Sequence, residues 1–307
     1  MTTQPINEIL PRIIENPELE RILNQFSLVL EEVVNFGTHV LDWCFEKPGG
    51  DENLPIILSL RHILELLDSI SILVKQSSID PCKLILRGTL ESYLGLEYIL
   101  QAETNKRSLA FLVCYIHQTI KWHEKVNPNT DMGKQFRAII EKDKTIDQLK
   151  IQDLQNKISH SNAEQLLNNP AYTDANNEYL NLVGKGVTNP PWYRLYCGPM
   201  NIEQLAQKVN LTTWYEVLYR YLSGTTHGTD ILQGKIASSA RGELHVVQIR
   251  YFKDAQLITG YTMTIAIKTY ILIINKILTS KRHNFREWYQ SIKKFYLEIQ
   301  NGENIIN

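Results

Sequence analysis

The chain has 307 residues, of which 43% are hydrophobic and 21% charged, and its formal net charge is -1. This near-neutral balance excludes binding of a nucleic acid by overall charge alone, so an RNA contact would need a local basic patch. The four cysteines, Cys44, Cys82, Cys114 and Cys197, form no CxxC pair, which argues against a zinc ribbon and a disulfide framework. We therefore expect a cytoplasmic protein with no metal and no cofactor.

Helical periodicity dominates the sequence. Asn16 followed by Pro17 predicts the cap and first position of a helix that runs to about residue 46, where a Pro/Gly breaker at 47–51 ends it. Further apolar-periodic segments predict helices at about 54–76, 79–101, 105–126, 201–209, 211–223, 254–279 and 284–300. The pattern predicts an all-α fold, a multi-helix bundle with long central helices.

The remaining segments are less regular. Residues 127–169 are charged and Gln-rich with spaced Leu and Ile, which predicts an outlying arm of two amphipathic helices. Residues 184–199 form a Pro/Gly-rich loop with aromatic anchors, and its length predicts a structured or functional loop. Residues 244–252 fit either a short strand or an extended packing segment, and both alternatives stay open. We expect an N-terminal helical extension at 1–53, a core domain at 54–281 that carries the arm, and a C-terminal helix at 282–307.

One segment resembles a membrane anchor by composition. Residues 255–278 are strongly apolar, but Lys268 and several threonines interrupt them before the roughly 20 apolar residues of a span are reached. We interpret the segment as a core helix. The N-terminus lacks the basic start and apolar run of a signal peptide, so we expect no contact with a membrane.

The most informative segment lies at 214–227. If the helix continues to its end, Glu216, Arg220, Ser223 and His227 recur at spacings of four, three and four, and they share one stripe. The neighbouring residues are largely apolar. The pattern therefore predicts a polar stripe on an otherwise buried helix.

Two further charged pairs lie in apolar helices. Arg87 and Glu91 are one turn apart in the third predicted helix, and Arg61 and Glu65 repeat this arrangement in the second. Because buried charges need partners, we expect Arg87 to make a charge-assisted contact with Glu91, Glu65 or Glu216 rather than point to solvent. Two interpretations stay open: an ion-pair network that joins adjacent helices, or a polar pocket shared with the stripe.

Some of these residues carry a family resemblance. The runs Leu86-Arg87-Gly-Thr-Leu-Glu91 and Tyr219-Arg220-x-x-Ser223-x-x-x-His227 resemble the bacterial helical family catalogued as domain of unknown function 5677, over about 56–278. The resemblance implies an all-α protein of bacterial origin. It also implies a setting among phage-defence or abortive-infection loci, and it brings no settled activity.

A second resemblance bears on mechanism. Arg220 and His227 enclose six residues, which resembles the Arg-x(4–6)-His pattern of HEPN ribonucleases, helical bundles that usually dimerise to build one RNA-cleaving cleft. This implies that Arg220 holds the scissile phosphate and His227 assists proton transfer without a metal, with Ser223 as a third candidate. The chain departs from many such nucleases at Tyr221, where they have a small polar residue.

Two functions therefore stay open. An effector endoribonuclease would present Arg220 and His227 to RNA in a groove, preferably beside their copies in a homodimer. A non-catalytic sensor or scaffold subunit of a defence or stress system would bury both residues. It would contact a partner protein from the same locus through the loop at 184–199 or the arm at 127–169.

Overall fold

The computed structural model describes residues 3–47, 49–142, 163–227, 234–238 and 242–301, with residues 226 and 227 described by their helical backbone. The helices are α1 Pro17–Phe45, α2 Leu54–Lys75, α3 Ile79–Gln101, α4 Thr104–Val126, α5 Asp131–Ile140, α6 Ala163–Leu166, α7 Thr173–Gly184, α8 Ile202–Lys208, α9 Thr212–Trp214, α10 Arg220–His227, α11 Ala255–Lys276 and α12 Arg282–Gln300. Within these residues the strands are β1 Ile236–Ser238 and β2 Leu244–Val246, which pair antiparallel with Ile236 opposite Val246. The predicted all-α fold is confirmed.

The chain forms two compact units. The first contains residues 1–50, 56–102 and 202–307, and the second contains residues 51–55 and 103–201. The first unit therefore holds α1, α3 and every helix from α8 onward, together with nearly all of α2. The second holds α4 to α7 and the Pro/Gly-rich loop.

The N-terminal cap of α1 forms as its sequence predicts. The side-chain oxygen of Asn16 accepts hydrogen bonds from the backbone N–H groups of Glu18 at 3.0 Å and Leu19 at 3.1 Å. Pro17 occupies the first turn, where its missing N–H costs nothing. Since these groups satisfy donors that the helix itself cannot, the start of α1 is set locally.

The core of the first unit is built around α11, which packs against α1, α3 and α12. The hydroxyl of the fully buried Tyr270 on α11 donates to the carbonyl of Val33 on α1 at 2.8 Å. Phe36 of α1 stacks on Trp288 of α12 with ring centroids 4.1 Å apart and planes at 10°. These contacts make α1 and α12 part of the same apolar core as α11.

Helix α11 also satisfies the length and composition of a membrane span. Its most apolar window has a mean hydropathy of 1.6, and 72% of that window is buried inside the protein. A core helix of a soluble protein passes the same test, so this observation is weak evidence for a membrane.

The second unit packs around α4. Apolar buried residues on α4, α6 and α7 form one cluster with Tyr172 and Leu195. The loop at 184–199 is fixed within this unit, because the Tyr196 hydroxyl donates to Asp174 at 3.0 Å and the Tyr196 backbone N–H donates to Glu178 at 3.2 Å. The loop is structured, as its length predicts. Of the two helices predicted across 127–169, α5 covers Asp131–Ile140, and much of the second falls on 143–162, outside the described residues.

Two helical glycines give a matched test of this packing. A Cβ at Gly37 would meet the side chains of Leu64 and Tyr270 at less than a van der Waals distance, whereas a Cβ at Gly88 would meet only Leu66, at an ordinary 3.8 Å. Alanine favours a helix over glycine by about 1 kcal/mol, and overpacking a core costs about 1–3 kcal/mol. We expect Gly88→Ala to raise the free energy of unfolding by up to about 1 kcal/mol and Gly37→Ala to lower it by about 1 kcal/mol.

Urea unfolding followed by circular dichroism measures both changes. Equal stabilisation by the two substitutions would contradict the close approach of α1, α2 and α11 at Gly37.

Candidate functional site

The segment that carries the polar stripe is helical from 212 to 227 but contains a change of helix type. A π-helical turn, Tyr215–Tyr219, lies between α9 and α10, and the backbone N–H of Arg220 bonds to the carbonyl of Tyr215, five residues back. Such a turn inserts an extra residue and shifts the direction of the side chains that follow it. Turns of this type occur frequently at functional sites.

Arg220 and Glu216 form an ion pair at the surface of this segment. The Arg220 Nε lies 2.8 Å from a Glu216 carboxylate oxygen, and the guanidinium lies over the ring of Tyr215. The two side chains are 59% and 45% exposed. Arg220 is therefore accessible to solvent.

The remaining stripe residues are placed less fully. The Ser223 hydroxyl donates to the Tyr219 carbonyl at 2.7 Å, a local bond within the helix. His227 is the last residue of α10, and its side chain lies outside the described part of the structure. The described contacts thus join Glu216 to Arg220 and Ser223 to Tyr219.

The segment differs from prediction in its burial. Leu218, Tyr219 and Leu222 are buried, and α10 packs against α3, but Val217 and Tyr221 are exposed. The prediction of an otherwise buried helix was wrong, because only one face of the segment is covered. It is a surface helix of the first unit.

Arg87 of α3 holds this segment in place. Its Nε donates to Glu91 at 3.2 Å, its Nη2 donates to the Tyr219 hydroxyl at 2.7 Å, and its guanidinium lies 4.6 Å from the centre of the Tyr219 ring. The Arg87 side chain is only 16% exposed, and its buried Nη1 has no hydrogen-bond partner within the described residues. The predicted contact with Glu91 is present, and Tyr219 is a second partner that the sequence analysis missed. Burial raises the pKa of Tyr219, which keeps its hydroxyl protonated.

The second charged pair lies elsewhere. Arg61 and Glu65 approach to 2.7 Å on an exposed face of α2. Within the described residues, no hydrogen bond or ion pair joins this pair to Arg87 or to Arg220. The structure therefore places the five charged residues of the predicted network, together with Arg220, in three separate ion pairs, each along its own helical segment.

A second polar cluster lies beside α10 and was not predicted. Lys83 of α3 bridges Asp254 at 2.9 Å and Asp80 at 3.1 Å, and the Tyr221 hydroxyl donates to the same Asp254 oxygen at 3.1 Å. Lys235 forms a further ion pair with Asp80. The members come from four separate parts of the chain, so no sequence spacing could have revealed the cluster.

The charges in this cluster support one another. Burial by itself would raise the pKa of Asp254, but the hydrogen bonds and charge of Lys83 outweigh it and lower that pKa below its usual value. Burial by itself would lower the pKa of Lys83, but the hydrogen bond and charge of Asp254 outweigh burial and raise that pKa above its usual value. Both groups therefore stay charged at neutral pH, as a half-buried ion pair that ties α3 to the start of α11.

The chain was compared with known protein families, with curated proteins and with solved structures. Residues 53–240 match the model of a family described as of unknown function, DUF5677, and this match covers more than half of the chain. The chain belongs to this family. The DUF5677 segment contains Arg87, Glu91 and the whole of α10, whereas α1, α11 and α12 lie outside it. Neither a comparison with curated proteins nor one with solved structures finds a match.

Metal binding is constrained by the side chains present. Among the described residues, no group of three or more His, Cys, Asp or Glu side chains is arranged to hold a metal ion. The acidic residues near α10 are instead paired with lysine, tyrosine and arginine.

The Lys83–Asp254 pair predicts a particular pH dependence. Because folding lowers the pKa of Asp254, its charge stabilises the folded protein fully above about pH 4, the pKa of the carboxyl in the unfolded chain. This contribution to the free energy of unfolding is lost as the pH falls through the pKa of the folded state. Because folding raises the pKa of Lys83, its charge stabilises the folded protein fully below about pH 10.4, and this contribution to the free energy of unfolding is lost as the pH rises further. We expect Asp254→Asn, which tolerates the left-handed backbone at this position, to lower the free energy of unfolding by about 2 kcal/mol at pH 7.

Urea unfolding of the wild type and the variant at pH 3 to 8 tests this. The difference between them should shrink below about pH 4. Asp131→Asn, at an exposed pair with Lys134, is the control and should follow the wild type at each pH. A difference for Asp254→Asn that is constant down to pH 3 would contradict the assignment.

Proposed function

We propose that this protein is a metal-independent endoribonuclease that acts in bacterial anti-phage defence through abortive infection, with Arg220 and His227 as its catalytic residues. The observation that supports the proposal is the exposure of Arg220, whose guanidinium lies at the solvent-facing side of α10. A nuclease needs this group accessible to RNA. The family match adds the helical framework, and it brings no activity of its own.

The chemistry needs little beyond these side chains. The 2′-hydroxyl of RNA attacks the adjacent phosphorus and loses its proton, and the 5′-oxygen of the next nucleotide leaves and gains one. The products are a 2′,3′-cyclic phosphate and a 5′-hydroxyl end. His227 would assist proton transfer, and the guanidinium of Arg220 would hold the phosphate oxygens by paired hydrogen bonds. Ser223 would contribute a hydroxyl after rotating away from the Tyr219 carbonyl.

Glu216 does not prevent this role. Its ion pair with Arg220 lies at the surface, where such pairs contribute about 0–1 kcal/mol, so a phosphate can replace the carboxylate at low cost. The separation of Arg220 from His227 corresponds to about 10 Å of helix rise. The two side chains can share one phosphate if the segment bends near Gly224, or if a second copy supplies one of them in a homodimer.

The alternative is a non-catalytic sensor or scaffold subunit. Two observations favour it: Arg220 is already neutralised by Glu216, and the loop at 184–199 is held firmly by Asp174 and Glu178 in the second unit. A rigid loop suits recognition of a partner protein from the same locus. In both versions we propose a cytoplasmic protein that does not enter a membrane.

The test is cleavage of RNA in EDTA by purified protein, with total RNA from uninfected and phage-infected bacteria as substrate. We expect His227→Ala to slow cleavage by about 10²–10⁴-fold. We expect Arg220→Lys to slow it by about tenfold or more, because a point charge lacks the guanidinium fork. His62→Ala and Arg21→Ala change an exposed histidine and an exposed paired arginine away from α10, and both should cut like the wild type.

Melting curves of all variants separate loss of chemistry from loss of structure. Cleavage by His227→Ala at the wild-type rate would exclude the nuclease, as would intact RNA from both sources after incubation with the wild type. Either result would leave the scaffold interpretation.

A further inference from the structure

A cavity of about 480 Å³ lies in the first unit, beside the start of α11 and the end of α12. Its volume falls in the range of about 300–1,000 Å³ that is usual for small-molecule sites. Nothing in the proposed ribonuclease mechanism uses this cavity. The side chains that define its chemistry are Tyr251, Phe252, Lys253, Gln256, Tyr261 and Gln300.

The side of the cavity formed by α11 and α12 is closely packed. Gly260 of α11 lets α12 approach, since a Cβ there would lie 3.0 Å from side-chain atoms of Ile299 and Gln300. The Gln300 amide donates to the Gly260 carbonyl at 3.0 Å, and the Gln256 amide donates to the Ile299 carbonyl at 3.2 Å. The two amide side chains are therefore held in position, and this part of the cavity exists before any ligand binds.

The walls are rich in aromatic rings. Tyr251 and Phe252 precede α11 and lie with ring centroids 5.2 Å apart, and Tyr261 comes from the second turn of α11. Rings from two separate elements thus line one cavity. Such walls suit a planar aromatic ligand, and the neighbouring amides can bind its polar edge.

The described ion pairs beside the cavity leave one of its lysines without an acidic partner of its own. Asp254 is neutralised by Lys83 at 2.9 Å, and Asp80 contacts both Lys83 and Lys235. Lys253 lines the cavity and makes no hydrogen bond or ion pair with any described residue. The charge of Lys253 does act on Asp254 and helps to lower its pKa, but among these described residues three lysines face two aspartates, and the ammonium of Lys253 is the one that forms no ion pair. It is suited to an anion.

We propose that this cavity binds a nucleoside monophosphate, with the base among the aromatic rings and the phosphate at Lys253. A mononucleotide combines the three features that the cavity matches: a planar heteroaromatic ring, a polar edge for the amides and one anionic group. The proposal goes beyond the ribonuclease and does not depend on it, because ligand binding is measured on RNA-free protein.

The test is isothermal titration of the wild type with AMP, GMP, CMP and UMP at millimolar concentration. The corresponding nucleosides and inorganic phosphate are titrated separately. We expect at least one monophosphate to bind more tightly than its nucleoside and than phosphate. Lys253→Met should weaken binding of that nucleotide by about tenfold and leave nucleoside binding unchanged, because only the phosphate loses its partner. Tyr251→Leu should weaken both, because the base loses a ring.

Lys276→Met is the matched control, since it removes an exposed lysine at the other end of α11 and should bind like the wild type. Three results would overturn the proposal. These are no heat of binding with any of the four nucleotides, equal binding by phosphate alone, or unchanged nucleotide affinity in both Lys253→Met and Tyr251→Leu. Failure of RNA cleavage would have no bearing on these titrations.

Discussion

The contact between Arg87 and Tyr219 is the interaction on which the candidate site depends. Burying an arginine side chain that is only 16% exposed costs free energy unless its N–H groups find partners, and α3 alone supplies only Glu91. The Tyr219 hydroxyl and ring are its further partners, at 2.7 Å and 4.6 Å. The contact therefore fixes both the position of the segment 212–227 on α3 and its rotation about its own axis. With Tyr219 facing inward, the next residue, Arg220, faces solvent.

A second set of polar contacts joins α3 to the same segment. Lys83 holds Asp254, and Asp254 accepts a hydrogen bond from Tyr221, so the residues on both sides of Arg220 are anchored to partners outside their own helix. Asp254 also belongs to the wall of the cavity beside α11. The exposed Arg220 and the cavity thus share one supporting cluster. Such support is what a functional side chain on a surface helix requires if its position is to be reproducible.

The sequence predicts what depends on local chemistry. The Asn16 cap, the breaker after α1 and the apolar periods of α3 and α11 act over a few residues, and they predict those helices closely. Of the three acidic partners that the sequence predicts for Arg87, the structure shows Glu91, one helical turn away, while Glu65 and Glu216 pair with Arg61 and Arg220. The π-helical turn is not predicted, because it depends on which backbone carbonyl accepts the hydrogen bond from the N–H of Arg220. The partners Tyr219 and Asp254 lie 132 and 171 positions from the α3 residues that they contact, so only the folded chain brings them together.

A double-mutant cycle between Arg87 and Tyr219 tests this account most directly. Arg87→Met keeps the aliphatic stem, Tyr219→Phe keeps the ring, and the two changes together remove both members of the hydrogen bond. Urea unfolding of the wild type, both single variants and the double variant gives the coupling energy. The account predicts a favourable coupling of about 1–2 kcal/mol, as expected for a hydrogen bond to a charged group in a largely buried site. Additive effects within about 0.3 kcal/mol would contradict it, because they would mean that Arg87 does not hold the segment through Tyr219.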